Sequence, residues 1–366
     1  MSSKKIVFLD NTSDHTHVSI KNTGIGASEY QFYNLVSQFS NLSDEKITCF
    51  NGINKNLEIN NIIYNNINCF METSFEDNSI FVIQRFFPYE ENVRNKLYNY
   101  KTYLWIHDIP HIYIFLENNE SLINYYNSKL DLFKKYLIEN FVEKKTIHFI
   151  FNSEHCKNMF VHYLKEFGIS IEDNRLIVIY NILYEEEFIS IKNKHIPVLK
   201  NQLVYASAWQ KGIEDIISIF EYILQKDSSY ILILMHPGYG MEIYENYKKY
   251  LLQKFPNNIV IKDSLSKDKY SEIIKESLCV LSSRFNETFG CVFAESYYLG
   301  TPVIADIGSG AVKEIIDNYF IVNYNNKEQV FNKIKEISYK RDHMNIKLPD
   351  KFLFNENFNK WKSILQ

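Results

Sequence analysis

The sequence predicts an α/β protein of two domains, each built on a parallel sheet. Short apolar, β-branched runs alternate with longer stretches of helical periodicity, the pattern of parallel α/β architecture. That alternation restarts midway along the chain. The length, 366 residues, suits about two domains with substantial cores.

In order, the first series of strand candidates is KIVFLD, KITCF, SIFVIQ, TYLWIHD, TIHFIF and RLIVIY. Helical stretches such as ASEYQFYNLVSQF and SLINYYNSKLDLFKKYLIENF separate them, while the Asn-rich NLEINNIIYNNIN reads as a loop. QLVYAS opens the second series and leads into a helix from Gly212. SYILILM, NIVIKD, SLCVLSS, TPVIAD and YFIVNY follow, each separated by helical sequence. Between the series, EEEFISIKNKHIPVLKN is charged, carries Pro197 and lacks clear periodicity, so the boundary falls near 183–199. The expected domains are 1–185 and 186–352. NENFNKWKSILQ, after Pro349, reads as an amphipathic helix within 353–366. Two such series suggest two Rossmann-like halves whose ligand residues sit just after the carboxyl ends of the strands.

Composition narrows the function. The chain is 46% hydrophobic and 23% charged, a globular balance, and its net charge of -4 argues against a nucleic-acid binder. Cys49, Cys69, Cys156, Cys279 and Cys291 form an odd, scattered set that fits reduced thiols in the cytoplasm. No run reaches the ~18 apolar residues of a bilayer span, and the N-terminus lacks a signal-peptide pattern. The stretch from Ser121 is amphipathic and partly basic, but its interspersed acids favour a solvated face, so membrane contact is peripheral at most. HExxH, a cysteine cluster, a Walker A loop and G-x-S-x-G are all missing. No metal site is expected.

The informative stretch is LSSRFNETFGCVFAESYYLGTPVIADIGSGAVKEII. It reads strand, loop, helix, strand, Gly-containing loop, helix. Glu287 lies in the loop, and Glu295 eight residues later falls about one turn into a helix that starts near Gly290. Between them Thr288, Phe289, Gly290 and Cys291 lead into a helix N-terminus, a natural phosphate site. A nucleotide sugar needs acceptors for its hydroxyls and donors for its diphosphate, and this segment offers both. Two glutamates at this spacing also occur by chance as solvated residues.

The stretch resembles the signature of family-4 glycosyltransferases of GT-B fold: E-x-F-G, a second Glu, small-G-x-P-V-I-A, then G-x-x-E-I-I. The resemblance implies two Rossmann-like domains facing a central cleft, and a retaining hexosyltransferase whose C-terminal domain holds the donor. It implies that Glu287 lies against the donor sugar, that Glu295 takes the ribose hydroxyls and that amides near Phe289 and Gly290 hold the diphosphate. YASAWQKGIEDIISIF resembles the family's strand-loop-K-G-helix element, in which Lys211 would neutralise the departing diphosphate. The Arg often found just before it is replaced by Ala206, Ser207 and Ala208, with Arg284 a second candidate cation. KNTGIGASEYQFYNL resembles the family's glycine loop, with Gly24, Gly26 and Glu29, although a plain strand–helix turn explains it equally well. WIHDIPH places His107 where the family carries a histidine near sugar and acceptor. His107 and Asp108 also read as a capping pair, with His111 a turn later. Ser153 in FNSEHCKNMF reads as an N-cap. MHPGYG and Asp263-Ser264 fall where the base would lie, and the Trp361 helix resembles one that returns to the first domain.

No D-x-D occurs, which favours the metal-independent GT-B arrangement over GT-A. The expectation is therefore a retaining, metal-independent glycosyltransferase that uses a UDP- or GDP-linked sugar and no cofactor. Its acceptor would be the hydroxyl of a glycan, lipid or protein. A catalytically silent nucleotide-sugar binder and a GT-B sugar-nucleotide epimerase stay open as alternatives.

Overall fold

All twelve strand candidates form strands, and two more appear where a loop was expected. The computed structural model describes residues 5–21, 26–42, 46–85, 90–108, 135, 146–166, 168–170, 172–236, 244–263 and 265–366. Gly24, His111, Ser264, the helical stretch from Ser121 apart from Lys135, and residues 237–240 lie outside them. The chain divides into two compact units, Met1–Asn181 with Phe358–Gln366, and Ile182–Asn357.

The first unit holds β1 (Ile6–Leu9), β2 (Ile47–Asn51), β3 (Leu57–Ile59), β4 (Ile62–Asn66), β5 (Ile80–Gln84), β6 (Lys101–Ile106), β7 (Ile147–Phe151) and β8 (Leu176–Val178). Their order is β3-β4-β2-β1-β5-β6-β7-β8, parallel throughout except for β3 against β4. Every residue of β5 is buried, as expected of a strand covered on both faces. The β3–β4 hairpin corrects the loop reading of the Asn-rich tract. Its two turn residues, Asn60 and Asn61, have φ of 48° and 65°. A two-residue hairpin turn asks for such positive φ values, and asparagine tolerates them. Helices α1 (Ala27–Leu42), α2 (Glu91–Leu97) and α3 (Glu154–Glu166) belong to this unit. Ser153 Oγ caps α3 by accepting from Cys156 N at 2.9 Å. The segment Phe358–Gln366 completes the core: Trp361 meets Trp105 edge-on at 4.7 Å and Phe358 meets Phe39 at 5.3 Å. Tyr103 Oη donates to Ile364 O at 3.0 Å.

In the second unit a fully parallel sheet runs β11-β10-β9-β12-β13-β14. Its strands are β9 (Leu199–Tyr205), β10 (Ile231–His236), β11 (Ile259–Asp263), β12 (Ser277–Leu281), β13 (Val303–Asp306) and β14 (Ile321–Val322). Helices α4 (Ile189–Asn193), α5 (Ile213–Lys226), α6 (Glu245–Lys254), α7 (Lys267–Glu276), α8 (Cys291–Tyr298), α9 (Val312–Ile315) and α10 (Lys327–Lys340) alternate with them. α11 (Phe354–Leu365) follows. α5 docks through Ile213, Ile216, Ile217, Phe220 and Ile223, all buried, an i, i+3, i+4, i+7 stripe.

Both sheets contain a point where the strand order reverses. In the first, the chain moves outward from β1 to β2 and β4, then returns to β5 on the other side of β1. In the second it moves from β9 to β10 and β11, then returns to β12 on the other side of β9. In open parallel sheets such reversal points are where ligand-binding residues gather, at the carboxyl edge.

Candidate active site

The second unit's reversal point brings Lys211 and Glu287 together. β9 ends at Tyr205, and after the turn through Ala206, Ser207 and Ala208 a single 3-10 turn, Trp209–Lys211, carries the lysine. Gly212 ends that turn at φ 103°, a left-handed conformation that favours glycine. A Cβ there would also stand 2.9 Å from that of Ser283. β12 ends at Leu281, and Glu287 lies in the loop beyond it. Lys211 Nζ donates to both Glu287 carboxylate oxygens at 2.9 Å. The glutamate side chain is only 9% exposed and the lysine 31%. Lys211 Nζ also lies 5.2 Å from the Phe285 ring centre, and Ser283 Oγ donates to Lys211 O.

The loop carrying Glu287 is held from below by the loop after β13. Ala311 N donates to Glu287 O at 2.9 Å, and Ser309 Oγ donates to Ser283 O at 2.7 Å. Gly310, at φ 64°, passes so close that a Cβ would stand 2.5 Å from Glu287 O and 2.8 Å from Glu287 N. The glutamate is therefore fixed by backbone as well as by its ion pair.

Thr288 is half-buried, and Phe289 is buried with its ring 5.9 Å from that of Phe352. Gly290 caps α8 at φ 89°, where a Cβ would strike the Phe293 ring at 2.5 Å. Cys291 opens the helix as a half-buried free thiol, and all five cysteines are free thiols. The positive end of α8 thus faces the carboxyl edge, next to Glu287. Glu295, a turn further on, is 14% exposed in its side chain and pairs with Lys267 Nζ at 2.6 Å. That lysine opens α7, just beyond β11, and lies 4.5 Å from the Phe188 ring centre. Burial, with the Glu295 charge beside it, pushes the Tyr270 phenol well up. Glu287 and Glu295 thus bind different lysines.

Arg284 is held by Asp215 and Asn325. Asp215 on α5 grips its guanidinium through Nε, at 3.1 Å, and Nη2, and Asn325 Oδ1 takes Nη1 at 2.6 Å. The hydrogen bond to Asp215 raises the guanidinium pKa further. Ser207 is half-buried in the turn after β9, and Asp263 is exposed at the end of β11, where Lys248 Nζ binds it at 2.8 Å.

The first unit has its own cluster at the carboxyl edge. Gly26 precedes α1, and a Cβ there would strike the Glu29 carboxylate. Arg85, directly after β5, has φ 53°, rare for a non-glycine residue. Its guanidinium joins three side chains: Glu29 Oε1 at 2.8 Å, Ser28 Oγ at 3.0 Å and Asp108 Oδ2 at 2.7 Å. His107 is buried against Trp105, ring centres 4.5 Å apart. Burial, helped by Arg85 and opposed by Asp108, pushes its pKa down to about 3. The imidazole is therefore neutral near pH 7.

The sequence reading singled out neither Lys267, Asp215 nor Arg85. Each follows a strand's carboxyl end or sits on the next helix, which is the one signal that could have marked them. Chemically, the second unit's edge combines an ammonium, a buried carboxylate and a helix N-terminus. Such a set can donate to phosphate oxygens and accept from hydroxyls.

Residues 191–349 match the family described as Glycosyl transferases group 1. Sucrose-phosphate synthase from Thermosynechococcus elongatus superposes with a TM-score of 0.65 at 12% identity, covering 99% of this chain and 95% of that one. HepE from Anabaena, in complex with UDP-glucose, gives 0.61 at 13% identity, again covering 99% and 95%. TarM gives 0.53 at 18% identity over 80% of this chain, and the chain spans 55% of TarM. No curated protein sequence matches the chain. The fold is that of the GT-B glycosyltransferases, two α/β domains with parallel sheets, and the segment carrying Lys211, Glu287 and Glu295 matches glycosyl transferases group 1.

Proposed function

We propose that the protein is a glycosyltransferase that moves a sugar from a UDP- or GDP-linked donor to an acceptor hydroxyl, with retention of configuration and without a metal. The observation that carries this reading is the Lys211–Glu287 pair at the second sheet's reversal point, inside the segment that matches the family. HepE, a neighbour in fold, binds UDP-glucose, which supports a uridine donor as the first to try. In this reading Glu287 accepts from donor-sugar hydroxyls, and Lys211 turns to the diphosphate as charge develops on it. The amides at the start of α8 hold the phosphates, and Glu295 takes the ribose hydroxyls. The missing D-x-D supports metal independence. Retention needs no protein nucleophile, because the leaving phosphate can take the acceptor's proton on the same face; the protein positions and stabilises. Among the described residues no helix is long and apolar enough to cross a membrane, and the free thiols favour a cytoplasmic setting.

The test is thermal stability with a panel of nucleotides and nucleotide sugars in EDTA, comparing wild type with Glu295→Ala. A ligand at ~100 times its Kd adds about 2.7 kcal/mol, a shift of several degrees. One nucleotide should raise the midpoint of the wild type and leave the variant unmoved. Anomeric analysis of the product by NMR then checks retention. A silent binder would show the shift and release no nucleotide. An epimerase would convert the donor sugar without an acceptor.

A further inference from the structure

Glu295 is the only charged residue of α8, and Phe293, Ala294, Ser296 and Tyr297 around it are buried. It stands four residues after Cys291, about 6 Å along the helix axis, a distance that a ribose joined through its 5′ carbon to a phosphate also spans. The carboxylate thus lies where the sugar of a nucleotide falls when its phosphates sit at the start of α8. What orients that carboxylate comes from another helix, α7.

Lys267 Nζ donates to Glu295 Oε1 at 2.6 Å and lies over two rings, 4.5 Å from the centre of Phe188 and 5.3 Å from that of Tyr270. Tyr270 sets its phenol beside the same carboxylate: burial, then the Glu295 charge and a hydrogen bond to it, raise the phenol pKa. An ionised carboxylate offers about four acceptor positions. Lys267 and Tyr270 on α7 take two of them, and the other two remain for hydroxyl donors.

Lys267 is poorly placed for its own helix. It is the first residue of α7, where the positive end of the dipole disfavours a cation, and the N-cap Ser266 makes no side-chain cap. Its side chain stays 36% exposed, so a plain ion pair there contributes little to stability. Its distinctive effect is geometric. The ammonium fixes one oxygen of a carboxylate whose own side chain is only 14% exposed, and so sets the direction of the other.

Given the donor-site reading of Glu295, on which this rests, we propose that Lys267 is a positioning residue that holds Glu295 to accept both ribose hydroxyls, and so makes the site select ribonucleotides over 2′-deoxyribonucleotides. Two hydroxyls on adjacent ring carbons meet the two remaining acceptor positions, whereas a 2′-deoxyribose leaves one unmet. A carboxylate released from α7 would keep its charge and lose that alignment. The discrimination is independent of the base, so it holds for a uridine or a guanosine donor.

The experiment is calorimetric titration of the full chain, in EDTA, with UDP, GDP and their 2′-deoxy counterparts. The preferred ribonucleotide should bind about 10-fold or more tighter than its deoxy form, because the carboxylate then loses a charge-assisted bond. Lys267→Met should weaken the ribonucleotide by about 10-fold and the deoxy form by less than about 3-fold. Lys267→Arg should retain the preference, and in a Glu295→Gln background Lys267→Met should add less than about 2-fold. Lys267→Gln replaces Lys267→Met should the latter lose the fold. If the wild type binds neither nucleotide, the donor-site reading falls and takes this proposal with it. If it binds one and the folded lysine variant keeps both affinity and 2′ preference, this proposal alone is overturned. Equal weakening of the ribo and deoxy forms overturns it too, as does a full effect of Lys267→Met in the Glu295→Gln background.

Discussion

Lys211 Nζ stands 2.9 Å from each carboxylate oxygen of Glu287, across 76 residues of sequence. The pair ties the loop after β9 to the loop after β12, so each partner restrains the other before any ligand arrives. Lys211→Met should lower kcat by about 10²–10³-fold, the usual cost of one preorganised charge-stabilising group. The same change should cost about 1–2 kcal/mol of stability, because Lys211 keeps nearly a third of its side chain in water. Adding Glu287→Gln should recover stability without recovering turnover. Donor turnover and denaturant melts on the wild type and the two variants check both halves.

Gly310→Ala should be more damaging than an ordinary loop substitution. Its φ of 64° and the 2.5 Å approach of a Cβ to Glu287 O leave the methyl no room. Strain of this kind costs about 1–3 kcal/mol, and relief would push Glu287 off Lys211. A melt should show the destabilisation, with kcat falling in the same variant. Gly300→Ala is the control, since its φ of 83° carries strain but nothing lies within 4 Å of its Cβ.

His107 sets a pH signature. Unfolded, the imidazole takes a proton near pH 6.5, whereas in the fold it does so only at about 3. Above 6.5 both states are neutral and the residue adds no pH dependence. Between those values the unfolded state binds the extra proton, so stability falls with falling pH by up to about 1.4 kcal/mol per unit. His107→Gln should flatten that part of the stability profile. The His107 ring protons should show no NMR titration from pH 5 to 8.

Trp361→Ala should destabilise the first unit. The indole is fully buried against Trp105, and truncating a buried tryptophan costs about 3–5 kcal/mol. Limited proteolysis should then cut first-unit segments, and a nucleotide-induced shift of the second unit should survive.

Much of the fold was legible because a parallel strand buried on both faces, such as Ile80–Gln84 or Ser277–Leu281, must be written as an almost unbroken apolar run. The β3–β4 hairpin escaped because its asparagines, which allow the positive φ of the turn, also read as loop residues. Among the candidate site residues, Lys211, Glu287 and Glu295 could be picked from motif and spacing. Their charge partners could not. Lys267 meets Glu295 across 28 residues, Asp215 meets Arg284 across 69, and Arg85 meets Glu29 across 56. Such pairings depend on strand order, which local pattern does not encode. The pairing of Arg284 with Asp215 and Asn325 follows from the same cause.

The first unit is discontinuous: its core is finished by Phe358–Gln366, which are made only after the whole of Ile182–Asn357. At roughly 5–20 residues per second, a ribosome needs about 10–35 s to build that intervening stretch. Throughout that interval the nascent first unit holds Trp105 on β6 and Phe39 on α1 without their covering partners, Trp361 and Phe358. Both units therefore receive their last residues almost together, so the first does not close well ahead of the second as it would if it were continuous. The uncovered aromatic surface is a natural handle for a chaperone.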